Sequence, residues 1–177
     1  LLYKMLLPLG IVAIKEPFYL VADAYYAARK MVNGLLAQNN HLVTRVKSNA
    51  VAYTPYVAQA PRTRGRPRVY GNKIKLKSLL ADTQSMQAAA SPVYGEHNVI
   101  IHYRGADLLW RPVGRLVRFV AVLHPSRGPC LLMCTDLSLP APEIIPLYGL
   151  RFKMEHGLKQ AVRLTGAFPS PFSSDDL

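Results

Sequence analysis

Asp23 is the first residue whose position suggests chemistry, because it directly follows a continuous apolar run. The run from Phe18 to Ala22 reads Phe-Tyr-Leu-Val-Ala and is typical of a strand that is covered on both faces. Functional side chains of α/β proteins gather where such strands end, and a carboxylate there can bind a divalent metal ion. The alternative is that Asp23 caps a following helix, which from position alone is the more common use of such an aspartate.

A second candidate group lies in a segment whose composition predicts a helix from Pro140 to Gly166, with Pro146 expected to delay its true start to about Leu147. Tyr148, Arg151 and Glu155 are spaced i, i+3 and i+7, which places them along one stripe of a helix. The arginine can bind phosphate with two nitrogens, the tyrosine can hydrogen-bond or stack, and the glutamate can bind a metal ion. The alternative is an exposed helix with an ordinary Arg–Glu pair, which contributes little to stability.

The elements that must position these groups predict an α/β arrangement with a β-rich middle. Residues 24–38 have helical composition and residues 41–47 alternate as a strand, so strand, helix and strand follow one another. The next segment is rich in proline, arginine and tyrosine, and strands are expected again at 99–103, 116–123 and 131–135. We therefore expect the first part of an α/β domain at 1–49, a β-rich insertion with a basic loop at 50–138, the C-terminal helix at 139–167 and a frayed tail at 168–177.

The charge of the chain favours a polyanionic partner. Lysine and arginine total 22 against 10 acidic residues, which gives a formal net charge of +12. No acid occurs between Asp23 and Asp82, and phosphate would relieve the resulting self-repulsion. The composition leaves nucleic acid and an anionic membrane surface as partners. The basic residues of this interval are Arg29, Lys30, Arg45, Lys47, Arg62, Arg64, Arg66, Arg68, Lys73, Lys75 and Lys77.

Two further features are candidate DNA contacts. The stretch Arg64-Gly-Arg66-Pro-Arg68 resembles an AT-hook, whose arginines enter a narrow minor groove. A flexible loop that touches phosphates without sequence preference is the favoured alternative. Trp110, the single tryptophan, can stack on a displaced base, although a place in the core of the insertion is favoured.

The cysteines and the apolar start of the chain favour ordinary structural roles. Cys130 and Cys134 are spaced to share one face of a strand, and with His124 nearby a metal site is conceivable, but buried cysteines are more common. The segment from Leu1 to Ile14 is too short for a membrane span, so a packed helix or turn is expected. Because the sequence begins with leucine, we expect a fragment.

Asp23 and the Tyr148 stripe together resemble the insertion-sequence transposases with an Asp-Asp-Glu (DDE) triad. The second aspartate of that family ends an inner strand, as in Leu20-Val-Ala-Asp23-Ala-Tyr-Tyr, and a β-rich insertion follows. Its glutamate lies in a helix with the pattern Tyr-x2-Arg-x3-Glu-x6-Lys, of which Tyr148, Arg151 and Glu155 match three positions. The lead-in from Cys134 to Leu139 is also similar.

The sequence departs from this family in three respects, one of which is that the segment ending Pro169-Ser-Pro leaves the family pattern. The terminal lysine of the pattern would fall at Val162, although Lys159 and Arg163 are close. No aspartate precedes Asp23, so the first carboxylate of the triad is absent from the sequence. We therefore expect this chain alone to be weakly active or inactive.

The resemblance implies an RNase H-like α/β fold, a mixed sheet flanked by helices, that carries out DNA transposition. It implies metal-dependent DNA cleavage and strand transfer, with Asp23 and Glu155 as catalytic ligands of Mg²⁺ or Mn²⁺. The partners would be transposon ends and target DNA rather than a membrane, bound by a homodimer in a synaptic complex in the bacterial cytoplasm, at the nucleoid. A non-catalytic basic nucleic-acid-binding protein, or a degenerate transposase remnant, is the alternative. The expected DNA contacts are Tyr148, Arg151, Lys159, Arg45, Lys47, Arg64, Arg66, Arg68 and Trp110.

Overall fold

Eight strands and three α-helices make up the part of the chain that a computed structural model describes, residues 16–57, 67–92 and 96–151. Short 3₁₀ turns at Ala24–Tyr26 and Thr83–Ser85 complete these elements. The helices are α1 (Arg29–Ala37), α2 (Lys77–Ala81) and α3, which is helical over 141–151. The strands are β1 (Tyr19–Ala22), β2 (His41–Arg45), β3 (Val51–Pro55), β4 (Tyr70–Lys75), β5 (Gln87–Ala90), β6 (Ile100–Trp110), β7 (Arg115–His124) and β8 (Gly128–Cys134).

All eight strands belong to one mixed sheet. Its order is β1-β2-β8-β7-β6-β3-β4, with β5 paired to β6. The β1–β2 pair is parallel and the other pairs are antiparallel. This is the mixed sheet flanked by helices that we predicted for an RNase H-like fold. Because β2 pairs directly with β8, the strands of the predicted insertion continue the sheet of β1 and β2. The division at residues 49 and 138 stays a prediction.

The sheet has a core on each face, because successive residues of a strand point to opposite sides. Leu42, Met133 and Phe119 point to the side covered by α1 and α2, which we call the α1 face. The next residues of β2 and β7, Val43 and Val120, point to the side covered by α3, the α3 face. Both clusters bury their central side chains completely, so the continuous apolar runs of these strands are explained by a sheet with two covered faces.

Some elements differ from the sequence-based expectations. The predicted helix at 24–38 is interrupted, because a 3₁₀ turn comes first and α1 begins only at Arg29. The strand expected at 99–103 extends to Trp110, since β6 pairs with β7 as far as the turn that joins them. Proline was expected to delay α3 to about residue 147, yet the helix already begins at 141. Pro146 removes one backbone hydrogen bond there, and the burial of Ile144 in the α3-face core offsets this loss.

Polar contacts fix the segment that leads into α3. The Tyr19 hydroxyl of β1 donates a hydrogen bond to Asp136, whose other oxygen accepts from the backbone of Ser138 at 2.8 Å. The Arg118 guanidinium binds both oxygens of Asp107 at 2.7 Å and also donates to the carbonyl of residue 139 at 2.7 Å. These contacts tie the start of α3 to β1 and to β7, so the direction of the helix across the sheet is determined.

The burial of Ile144 predicts that this one side chain anchors α3. Ile144 is fully buried, whereas Leu150 on the same helix is 46% exposed. Replacement Ile144→Ala should lower the free energy of unfolding by about 2–5 kcal/mol, because it leaves a cavity. Replacement Leu150→Ala removes a similar volume from the surface and should change it by about 0.5 kcal/mol or less. Urea denaturation of both variants measures the difference, and equal losses would contradict the packing of α3.

The hydrogen bonds of Asp136 predict sensitivity to acid. Burial alone would raise the pKa of Asp136, but hydrogen bonds from Ser138 and Tyr19 outweigh it and lower the pKa from 3.8 to about 2. A carboxyl whose pKa falls on folding stabilises the protein above its unfolded pKa, and this contribution is lost as the pH falls. The free energy of unfolding should therefore decline between about pH 4 and pH 2, and less steeply in Asp136→Asn. Urea titrations across this range test it, and identical slopes would exclude Asp136 as the cause.

Candidate active site

Asp23 lies at the carboxyl end of β1, at the edge of the sheet where β2 also ends. In the parallel register Ala22 pairs with Thr44, so the next residues of the two strands are Asp23 and Arg45. The Asp23 side chain is 54% exposed and makes no capping hydrogen bond to the 3₁₀ turn that follows. The Asp23 side chain therefore does not make the hydrogen bond that the helix-cap alternative requires.

The Asp23 carboxylate is held instead by Arg151 of α3, a residue 128 positions further along the chain. Both guanidinium ends take part: Nη2 donates to Oδ2 at 2.6 Å, and Nη1 donates to Oδ1. Such a two-pronged contact is the strongest geometry for an arginine and a carboxylate. Because the Arg151 side chain is 19% exposed and Asp23 is about half exposed, the pair lies at a solvent-accessible edge.

Tyr148 lies beside this pair on the same stripe of α3. The Arg151 Nη1 also donates to the Tyr148 hydroxyl oxygen at 3.1 Å. Burial raises the pKa of Tyr148, and the hydrogen bond from Arg151 opposes that shift only in part. The phenol therefore keeps its proton at neutral pH and can donate a hydrogen bond to an anion.

Cys130 lies near Arg45 and Tyr148, whereas Cys134 pairs with Val43, and the two thiols are not grouped with His124 in an arrangement that could hold a metal ion. Burial raises the pKa of both thiols, that of Cys134 to about 11, so neither is a thiolate at neutral pH. His124 instead contacts Glu96, with Nε2 2.7 Å from a carboxylate oxygen. Within the ranges that the structure covers, no group of three or more His, Cys, Asp or Glu side chains is arranged to hold a metal ion.

The other predicted site residues fall into four groups. Arg45 and Lys47 are exposed at the end of β2, the former next to Asp23. Arg68 lies far from that edge and donates from Nε to the carbonyl of residue 70 at 2.9 Å. Trp110 is only 7% exposed and packs in the α1-face core, which favours its core alternative over base stacking. The remaining members, Arg64, Arg66, Glu155 and Lys159, lie outside the residues that the structure describes.

Sequence reasoning missed the direct contact between Asp23 and Arg151. It placed the aspartate with a metal ion or a helix end, and the arginine with phosphate or Glu155. No local pattern connects residues so far apart, because only the parallel register of β1 and β2 and the path of α3 bring them together.

A family model described as DDE superfamily endonuclease matches residues 3–104. The chain belongs to this family. The match includes β1, Asp23, α1 and β2 and ends before α3, so the Tyr-x2-Arg-x3-Glu pattern lies beyond the matched residues. No curated protein matches the chain. Family membership makes an endonuclease-type function and a DNA substrate the general assignment, and endonucleases of this family normally use divalent metal ions.

Over residues 16–57, 67–92 and 96–151, no helix is long and apolar enough to cross a bilayer.

The ion pair of Asp23 and Arg151 predicts a measurable but small coupling. In a double-mutant cycle with Asp23→Asn and Arg151→Gln, the coupling energy in unfolding should be about 0.2–1 kcal/mol, because solvent screens a half-exposed pair. Salt at about 1 M should reduce it further. Urea denaturation of the single and double variants provides the measurement.

A matched control for this cycle combines Asp23→Asn with Arg127→Gln. Arg127 pairs with Glu96 and not with Asp23, so the two changes should be additive. A coupling as large for Arg127 as for Arg151, or none for Arg151 at low salt, would contradict the observed pairing.

Proposed function

We propose that this chain is the DNA-cleaving and strand-transferring part of a DDE transposase. The observation that supports the proposal most directly is the meeting of Asp23, at the end of an inner strand, with Arg151 of α3. These are the two positions at which the family resemblance puts a metal-binding carboxylate and a phosphate-binding arginine. Their convergence is what a site for phosphodiester chemistry needs.

Asp23 suits a ligand of Mg²⁺ or Mn²⁺ in its chemistry, because both ions prefer carboxylate oxygens. Its half-exposed side chain already attracts a cationic partner, the guanidinium of Arg151. The described residues supply one such carboxylate at this edge, which by itself is not a complete metal site. We propose Glu155 as a second ligand, since the helical spacing predicted from the sequence puts it one turn beyond Arg151 on the same stripe.

Each neighbouring side chain has a distinct proposed role. When bound, a divalent ion supplies Lewis acidity at the phosphodiester and a more acidic attacking water or 3′-hydroxyl. Arg151 can exchange its two-pronged contact with Asp23 for an equivalent contact with a phosphate group. Tyr148, protonated at neutral pH, can donate its hydroxyl hydrogen to a phosphate oxygen, and Arg45 is placed to neutralise an adjacent phosphate.

The wider DNA partner follows from the same proposal. Exposed lysines add further positive charge to the surface. We propose that these lysines, Lys159 and the arginines of the basic loop contact the DNA that flanks the cleavage site. A homodimer that holds two transposon ends near target DNA is the assembly that this function would require. The exposed lysines are Lys47, Lys73, Lys75 and Lys77.

A non-catalytic DNA-binding protein, such as a degenerate transposase, is the second candidate. One observation favours it: both oxygens of Asp23 are engaged by Arg151. This candidate predicts DNA affinity that falls with salt but is indifferent to divalent ions and to the loss of Asp23.

Metal binding separates the two candidates, even if cleavage by this chain is slow. If Asp23 is a ligand, Asp23→Asn should weaken Mn²⁺ binding about tenfold or more, because it removes a ligating oxygen anion. Electron paramagnetic resonance of free Mn²⁺ measures this directly. Any Mn²⁺-dependent nicking of supercoiled plasmid should fall in parallel.

The matched control is Asp82→Asn, which removes another exposed aspartate that is paired with an arginine, Arg104. Its Mn²⁺ affinity should stay within about twofold of the parent chain. Unchanged Mn²⁺ binding in Asp23→Asn, together with salt-dependent DNA affinity, would reject the catalytic proposal in favour of the second candidate.

A further inference from the structure

An open pocket of about 480 Å³ lies at the β3–β4 end of the sheet. Tyrosine and arginine dominate its lining: Tyr53 of β3, Tyr70 of β4, Arg68 just before β4 and Arg111 just after β6. Of these residues, only Arg68 has a role in the proposed function, as one of the basic-loop arginines assigned to flanking DNA.

The pocket is remote from Asp23. Strand β3 is five neighbours away from β1 in the sheet, which at about 4.8 Å per strand spacing amounts to roughly 24 Å. Tyr53 pairs with Leu109, close to the turn at the end of β6. A ligand in this pocket is therefore a separate contact from one held beside Asp23 and Arg151.

Tyr53 and Tyr70 form an aromatic wall of the pocket, and an irregularity in the β3–β4 pairing brings their rings together. The register shifts between Tyr53 and Pro55, so that Pro55 pairs with Tyr70 and not with Gly71. Such a shift re-aims a side chain, and here it brings the rings of Tyr53 and Tyr70 to a centroid distance of 5.2 Å. Gly71 is required at this point, because a Cβ there would lie 2.5 Å from Thr54 Oγ1 and 2.8 Å from a backbone oxygen.

Both arginines that line the pocket lie over aromatic rings. The Arg111 guanidinium is 6.0 Å from the centre of the Tyr70 ring, and that of Arg68 is 5.5 Å from the ring of Tyr56. Tyr56 is 43% exposed, so its ring is accessible from solvent. Among the residues with described positions, no carboxylate pairs with Arg68 or Arg111, which leaves the pocket positively charged.

We propose that this pocket binds an unpaired stretch of DNA. The partly buried rings of Tyr53 and Tyr70 and the exposed ring of the neighbouring Tyr56 offer stacking surfaces, which bases can use only when they are not stacked inside a duplex. Two arginines without acidic partners offer charge-assisted contacts to the phosphates between those bases. The phosphates of a duplex could contact the arginines, but its stacked bases could not stack on the tyrosine rings. Rings and arginines together therefore favour a single strand. The inference shares its DNA partner with the proposed function but needs no metal ion and no catalysis.

Fluorescence anisotropy with a labelled oligothymidine and with a labelled duplex of the same length tests the proposal in the absence of divalent ions. Tyr70→Ala should weaken single-strand binding roughly 5- to 100-fold, as expected for the loss of one stacked base. Duplex binding should change by about twofold or less. Tyr70→Phe keeps the ring and should bind the single strand almost as the parent chain does.

Arg111→Ala provides a second arm that leaves both tyrosines in place. It should weaken single-strand binding several-fold and reduce its dependence on salt. The charge-matched control is Arg29→Ala, because Arg29 is exposed on α1, away from the pocket, and should change single-strand affinity by about twofold or less. Circular dichroism of each variant confirms that the fold is retained.

Two results would overturn the inference. One is an equal loss of single-strand and duplex binding in folded Tyr70→Ala, which would indicate phosphate contacts alone. The other is that Arg111→Ala and Arg29→Ala lower the affinity for the single strand to the same extent. Because these titrations contain no divalent ions, failure of the metal-binding proposal would leave both comparisons unchanged.

Discussion

The ion pair between Asp23 and Arg151 joins the end of β1 to α3, although the two residues lie 128 positions apart in the sequence. It forms only because β1 and β2 are parallel, β8 continues the sheet beside β2, and α3 packs its Ile144 side over these strands. Its own contribution to stability is small, since solvent screens it. Its importance is positional, because the packed core brings a carboxylate and a guanidinium together at one exposed edge.

Local patterns in the sequence predicted the elements whose formation depends mainly on neighbouring residues. The apolar run before Asp23 predicted β1, and the alternation after residue 40 predicted β2. The spacing of Tyr148 and Arg151 predicted a common stripe, and in α3 the two side chains are within hydrogen-bonding distance. Each of these features depends on the period of one strand or one helix, which a short window of sequence contains.

Features that depend on tertiary contacts could not be derived in this way. The start of α3 at residue 141 results from the burial of Ile144, which outweighs the local effect of Pro146. The pairing of Asp23 with Arg151 requires the sheet order, and the aromatic pocket requires a one-residue register shift opposite Gly71. Tyr53, Tyr70 and Arg111 are too far apart in sequence to form a motif. Glu155 and Lys159 lie outside the residues that the structure describes, so their assignment to the site depends on resemblance to the family.

The claim that unifies the proposed site is that folding brings the carboxylates of Asp23 and Glu155 to a shared cation. A crystal structure of the chain soaked in Mn²⁺, with the metal located by its anomalous scattering, tests this claim most directly. The account predicts an anomalous peak bound by oxygens of both residues at roughly 2.0–2.3 Å, with Arg151 displaced from Asp23. Carboxylates on different sides of the molecule, or a peak that touches neither, would contradict it.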